Sequence, residues 1–500
     1  MRAHAITVGL VIAALGCLAS AGAAAADDLL IKNVTIVSPE REAPSAATNV
    51  LVRDGRIVAI GRELPQGIHG SDDVIDGTGR YLAPGLIDAH THLSDIPGMT
   101  FEHELAHPDI ARETRRQIPR SYLYYGFTSV VDMMAGQPDV IARWNDLDVR
   151  PHAYFCGAAP VFDGYPMNFV PKPFRYRITP YFLFDEARAD EFPAGFAPTE
   201  HTPEAVVKRM HGDGAVCVKT TFEGGFPGQE NLPLPSERII RDLVAAAHAR
   251  GMPVLLHANS QSAQTFGLAA GVDAFVHGIW RWDDPGTTGL TADVTKILDA
   301  IVHGDIAWQP TIQVLYGERD LHDPDYLSSP ELRHVLPKAI VDWYGTEDGQ
   351  WFASRMRDNP GVARALEDGH WEDLDAVPIA RVTEALSYLA SRGARLSFGS
   401  DTPSAPTYAN PPGLNGRLEM RRWLEAGVTP MRLFRAATIV NAELFGLQDV
   451  IGTVEEGKRA DLLVMTRNPM EDASAFDGID IVILEGRVLR RSDLSAENGQ

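Results

Sequence analysis

Hydrophobic and polar positions divide the chain into β-rich ends and an alternating middle. Near the start, residues 29–37 read as a strand. Residues 49–53 and 56–60 read as a hairpin, because Asp54-Gly55 between them suits a tight type I′ turn. The far end mirrors this, with strands predicted over 460–465 and 479–484, then Glu485-Gly486 and a last strand over 487–489. One small β-sandwich domain built from both termini is the economical arrangement.

The middle alternates strand and helix. Strands are predicted over 86–90, 128–133, 152–158, 215–219, 253–257, 274–277, 306–311 and 395–401. Helical patterns over 110–125, 140–147, 203–211, 236–249, 262–270, 292–302, 379–391 and 413–425 lie between or after them, with Thr291 placed as an N-cap. Eight strands, each followed by a helix, is the count of a (β/α)8 TIM barrel. Several of the strands are uniformly apolar, as when both faces are buried. Two stretches, 161–202 and 316–378, exceed ordinary loop length and leave C-terminal strand ends. They are pocket walls or lids, or else packing insertions or homo-oligomer contacts.

Length agrees with this division. A chain of 500 residues accommodates one large α/β barrel and an appended domain. The expected layout is residues 27–82 and 447–495 for the small domain and 83–446 for the barrel. A net charge of −22 argues against nucleic acid and anionic membrane surfaces as partners.

Residues 1–26 read as a signal peptide. Arg2 and His4 precede an apolar run, and Ala24-x-Ala26 before Asp27 suits signal-peptidase cleavage. The run is short for a spanning helix, and no later run is long enough to cross a bilayer. Periplasmic or secreted localisation follows. A lipoprotein attached at Cys17 is the less favoured reading, because Leu15 stands where a small residue is usual. Once the signal is removed, Cys156 and Cys217 remain. Both lie in apolar strand-like runs, so they are expected as core residues without a disulfide framework.

The candidate chemistry sits at the strand ends. His90 and His92 close the first barrel strand, and residues i and i+2 of an extended chain point to the same side. Lys219 closes the fourth, His257 the fifth, His277 the sixth and Asp401 the eighth. In a parallel barrel these ends converge on one rim. A lysine closing a buried apolar run is costly unless paired or chemically changed. Its neutral amine can react with carbon dioxide to give a carbamate, an anion whose oxygens can bridge two cations.

Ala83-Pro84-Gly85-Leu86-Ile87-Asp88-x-His90-x-His92, Lys219, His257, His277 and Gly399-Ser400-Asp401 together resemble the amidohydrolase superfamily of metal-dependent hydrolases. The tail from Gly452 to Leu462 resembles that superfamily's return into its β-domain. The resemblance implies a binuclear centre of two divalent metal ions, with zinc the first choice. His90, His92 and Asp401 would bind the more buried ion, and His257 and His277 the more exposed one. Carboxylated Lys219 and a water-derived hydroxide would bridge them. Asp401 would take the proton of the attacking hydroxide and pass it to the leaving amine.

The pattern looks most like the imidazolonepropionase-related branch that contains Xaa-Pro and Xaa-Arg dipeptidases. No Glu follows in His257-Ala258-Asn259-Ser260, which counts against deamination of a nucleobase. The implied substrate is a dipeptide, an N-acyl amino acid or a similar small amide. The alternatives are a lactonase or esterase on the same centre, or a metal-free relative. Asn259 either faces substrate or caps the following helix, and capping is the favoured reading. Arg281, Arg175 and Arg177 are candidates for a substrate carboxylate, with an ordinary surface position the default for each.

Overall fold

The computed structural model describes residues 28–64, 73–134, 138–226, 229–404 and 406–498. The expected signal peptide, Cys17 included, lies outside the described residues. No helix among those described is long and apolar enough to cross a membrane.

The first strands are β1 (Leu29–Ile36), β2 (Thr48–Arg53), β3 (Arg56–Gly61), β4 (Asp73–Asp76) and β5 (Tyr81–Pro84). The first barrel strands are β6 (Leu86–Thr91), β7 (Phe127–Asp132), β8 (His152–Ala158) and β9 (Cys217–Thr221). A two-residue hairpin follows, β10 (Gly225–Phe226) with β11 (Gln229–Glu230). The barrel continues with β12 (Val254–His257), β13 (Ala274–Val276) and β14 (Ala307–Gln309). The chain then returns to the terminal sheet with β15 (Leu462–Met465), β16 (Ile479–Leu484) and β17 (Arg487–Arg490).

Both termini build one mixed sheet in the order β17-β16-β15-β5-β1-β2-β3, with β4 beside β1. The start of β1 pairs with β2 and β4, and its end pairs with β5. Alternating residues of both halves bury one shared cluster that includes Ile31, Val34, Val50, Leu82, Leu462 and Ile483. The β2–β3 turn has Asp54 and Gly55 at φ 49° and 72°, the left-handed pair a type I′ turn requires. β5 then pairs with β15, opposing Pro84 to Leu462 and Tyr81 to Met465. One residue on, the Gly85 N–H donates to the Asp461 carbonyl at 2.8 Å. A Cβ on Gly85 would fall 1.9 Å from Thr128 Oγ1, so only glycine lets the chain pass into β6 here.

The barrel strands are parallel, in the order β14-β13-β12-β9-β8-β7-β6. The predicted eighth strand, 395–401, closes the ring differently. Leu396 bridges Trp308, the Ala89 N–H donates to the Phe398 carbonyl at 3.1 Å, and the His92 N–H donates to the Thr402 carbonyl at 2.8 Å. The segment is hydrogen-bonded on both sides without forming a regular ladder. One cause is Asn441, whose Nδ2 donates to the carbonyls of Phe398 (2.7 Å) and Ile87 (3.0 Å). Asn441 follows a π-helical turn, Ala436–Val440, which inserts its amide into the seam.

Helices cover the outside, as the 3.6-residue periodicity predicts. Thr291 does cap helix Ala292–His303, its side chain accepting from the Val294 N–H. Of the two long connections, the first packs on itself around Phe162, Met167 and Phe182. The second carries further short helices, among them Lys338–Tyr344 and Pro360–Glu367.

The reading of the cysteines is corrected. Cys156 and Cys217 are register partners on β8 and β9, their Cα atoms 4.4 Å apart, and they form a disulfide. Both are fully buried, as expected of core residues. They are separated by 61 residues, yet β8 and β9 are neighbours in the ring, and that adjacency brings the two thiols together.

Candidate active site

The rim gathers the predicted side chains. His90, in β6, brings its Nε2 to 3.1 Å from Asp401 Oδ1, and His92 Nε2 lies 2.8 Å from the same oxygen. The i, i+2 pair therefore points to one side, and the eighth segment closes on it. Gly399 permits the closure, since a Cβ there would lie 2.7 Å from the His90 Cβ. His277 follows the last residue of β13. Its Nδ1 is 2.8 Å from Thr311 Oγ1 and 3.9 Å from Asp401 Oδ2. His257 ends β12, with its ring centroid 4.5 Å from that of His277. Lys219 is buried within β9, which runs two residues further than predicted. It lies within electrostatic reach of Asp401, His90, His257 and His277.

The backbone carries a signature of its own. His277, Thr311 and Asp401 sit at φ 78°, 47° and 56°, each just past a strand or strand-like segment. Left-handed conformations in residues other than glycine cost of order 1–3 kcal/mol each and cluster at functional sites.

Burial sets the charges. It pushes the Lys219 amine down to about 7, opposed only by the charge of Asp401. It drives His90 down to about 3 and holds His257 and His277 below the usual imidazole range. Burial also opposes a charge on His92, but the hydrogen bond to Asp401 and the charges of Asp401, Asp132 and Asp95 together outweigh it and raise that pKa. Burial opposes ionisation of Asp401 too. The surrounding imidazoles prevail and hold its carboxyl well below the usual range.

Supporting residues complete the picture. Asp88 is fully buried, and its Oδ1 accepts from the backbone N–H groups of Ser400 (2.9 Å) and His90 (3.2 Å). Asp132 accepts from the Leu93 and Met134 N–H groups at 2.9 and 2.8 Å, fixing the backbone after His92. Glu223, just beyond β9, places Oε2 3.7 Å from His257 Nε2. Sequence reasoning missed Glu223, although a carboxylate four residues beyond Lys219 on a rim strand was a readable signal. Asn259 does not cap the next helix. Ser260 does, and Asn259 is buried, its Nδ2 3.5 Å from His257 Nε2. Of the candidate arginines, Arg281 reaches the site by way of Glu223, whereas Arg175 pairs with Asp163 at 2.5 Å. Tyr165, from the first long connection, lays its ring 4.7 Å from that of His257.

These residues fit divalent cations. Ligand atoms of His90, His92 and Asp401 all lie within 4.8 Å of one another, and imidazole with carboxylate suits zinc and similar ions. His90 Nδ1 is buried with no hydrogen-bond partner, and Lys219 has no carboxylate within ion-pair distance among the described residues. Three imidazoles held neutral beside a lysine close to neutrality form a donor set with lone pairs to give.

A parallel barrel with such side chains on the C-terminal rim of its strands has the layout of a barrel enzyme. The chain belongs to the Amidohydrolase family, whose profile matches residues 81–489. An allantoinase from Escherichia coli O1:K1 / APEC is 44% identical over 71 residues, which is 14% of each chain. The chain thus aligns with only 14% of the length of the curated relatives it matches first. A crystal structure of a Xaa-Pro dipeptidase with methionine bound in its active site superposes with a TM-score of 0.60. It is 19% identical and covers 93% of this chain and 100% of its own. Ochratoxinase from A. niger gives 0.62 at 20% identity, covering 93% of this chain and 96% of its own.

Proposed function

We propose that the protein is a metal-dependent amidohydrolase that cleaves a C–N amide bond in a small substrate, a dipeptide, an N-acyl amino acid or a related amide. The observation that carries this reading is the meeting of His90, His92 and Asp401 beside a buried Lys219 that has no carboxylate within ion-pair distance among the described residues. His90, His92 and Asp401 would hold one ion, His257 and His277 a second, with carboxylated Lys219 shared between them. Two divalent cations, zinc first, supply hydroxide near neutral pH and polarise a carbonyl.

The protein's own groups do the rest. The Lys219 amine, near neutrality at pH 7, is the form that combines with carbon dioxide. Asp401, kept ionised by its imidazole neighbours, accepts the proton of the attacking hydroxide at a carboxylate oxygen. It then delivers that proton to the leaving nitrogen. Asp88 holds Ser400, and so Asp401, in place. Export to the periplasm or beyond is part of the proposal, and a buried disulfide supports it, because such bonds persist in oxidising compartments.

The test is a screen of the metal-loaded protein against dipeptides, N-acyl amino acids and lactones, before and after chelation. Amide cleavage lost on chelation and restored by zinc is expected. Full turnover without bound metal overturns the mechanism, and turnover confined to lactones overturns the bond assignment.

A further inference from the structure

The side of the site bounded by His257 and His277 holds a cation that the proposed mechanism leaves unused. Arg281 Nη2 donates to Asn259 Oδ1 at 2.7 Å and to Glu223 Oε2, and its Nη1 donates to the Gly225 carbonyl at 3.2 Å. Its Cζ lies 5.5 Å from the centroid of the Phe226 ring. The acceptors come from β10 and from the segments that follow β9 and β12, so the guanidinium is fixed from several directions. The Glu223 side chain is 1% exposed, whereas that of Arg281 is 47% exposed. A guanidinium carries five N–H donors. Three contacts are spent on bracing, and the side chain remains about half exposed, so donors are left for a ligand.

The surroundings are aromatic. The Tyr165 ring lies 5.7 Å from Phe226 and 4.7 Å from His257. Asn259, which accepts from Arg281, lies with its Nδ2 3.5 Å from His257 Nε2, and Glu223 Oε2 lies 3.7 Å from the same nitrogen, so both braces of the guanidinium border the site. Trp280, adjacent in sequence, has its indole Nε1 buried without an acceptor among the described residues, and its ring lies 5.1 Å from His277. A buried donor left unpaired costs about 1–3 kcal/mol, a deficit that a bound acceptor would relieve.

We propose that Arg281 binds the carboxylate of the substrate's amine half, so that the leaving group is an α-amino acid whose side chain packs on Tyr165 and Phe226. The assignment rests on the amide-cleaving reading and narrows it. A fixed, planar, always-charged fork is the side chain best matched to a carboxylate. Arg281 is thus a specificity-determining residue, and Glu223 and Asn259 are positioning residues that brace it.

The test compares glycyl and N-acetyl amino acids with their C-terminal carboxamides, in which the scissile bond is the same and the anion is gone. The wild-type protein is expected to favour the carboxylates by roughly 10- to 100-fold in kcat/KM, the worth of one charge-assisted contact. Arg281→Met is expected to lose that preference, its loss on carboxylates exceeding its loss on carboxamides by the same factor and falling mainly on KM. Arg281→Lys, which keeps the charge without the fork, should retain part of the preference and decides the matter if the Met variant fails to fold. Equal losses on both series would mean that Arg281 only ties Glu223 in place, and the proposal fails. Cleavage of anilides but of neither amino-acid series overturns this assignment alone. Cleavage of no amide at all overturns the amide reading with it.

Discussion

Asp88 and Ser400, 312 residues apart in sequence, are clasped across the seam of the barrel. Asp88 Oδ1 accepts from the Ser400 backbone N–H at 2.9 Å, and Oδ2 accepts from Ser400 Oγ at 2.5 Å. One partner lies two residues before His90 and the other immediately before Asp401. The clasp sets the spacing of those two side chains. Partners of this kind are typically worth 10- to 100-fold in metal affinity. Asp88→Ala should weaken metal binding by about that factor, and Asp88→Asn by less, because it keeps one acceptor. Chelator competition measures this. Unchanged affinity in the Ala variant would reduce the clasp to a packing contact.

Lys219 makes no ion pair among the described residues, so its replacement breaks no salt bridge there. Lys219→Ala is expected to abolish turnover and to release at least one equivalent of metal. Reconstituting the wild-type protein in carbon-dioxide-free buffer should likewise give low activity, with bicarbonate restoring it. Metal analysis and turnover together are decisive. A Lys219→Ala protein with two ions and normal rates has no carbamate bridge.

Asp461 gives a pH-dependent prediction away from the rim. Burial opposes its ionisation, yet the Arg459 guanidinium and His152 hold its pKa at about 2, below the ordinary 3.8. The sign follows from that depression. Above pH 3.8 the carboxylate is ionised in folded and unfolded chains alike, and its stabilisation is complete. As the pH falls towards 2, the unfolded chain takes the proton first and the stabilisation is lost. Asp461→Asn should cost roughly 3–5 kcal/mol at neutral pH, because it strands Arg459. The gap from wild type in urea unfolding should narrow by about 1 kcal/mol between pH 5 and pH 3. A gap that does not change with pH would show that the pair is not ionic.

The disulfide predicts a thiol count. Protein purified without reductant should show neither Cys156 nor Cys217 reacting in denaturant until a reductant is added. Replacing both by Ser should lower stability by about 2–4 kcal/mol, the usual worth of a native bridge. Two thiols that titrate freely in unreduced protein would contradict the bond.

The sequence made the rim legible because strand ends are announced by local pattern. Apolar runs stop at His90, His257 and His277, and a lysine buried in such a run has few explanations. Spatial adjacency was harder to read. The pairing of Cys156 with Cys217 depends on which strands lie side by side. Asn441 acts through a π-helical turn that no periodicity marks. Glu223, Asn259 and Arg281 act as a unit only because segments after β9, β12 and β13 converge. Each alone reads as an ordinary loop residue. The eighth segment reads as a strand by its pattern, but Asn441 shares the Phe398 carbonyl with the Ala89 N–H and Asp401 turns left-handed, and no regular ladder is present there.

The pairing of β5 with β15 joins segments about 380 residues apart. Pro84 leans on Leu462, and the next strand begins at Leu86. A stop codon between residues 402 and 462 would remove that support, although every proposed metal ligand would still be encoded. The damage would be felt first at His90 and His92, hundreds of residues upstream of the lesion. On the ribosome, too, the opening strands must wait for nearly the whole chain to be made before their sheet can be completed.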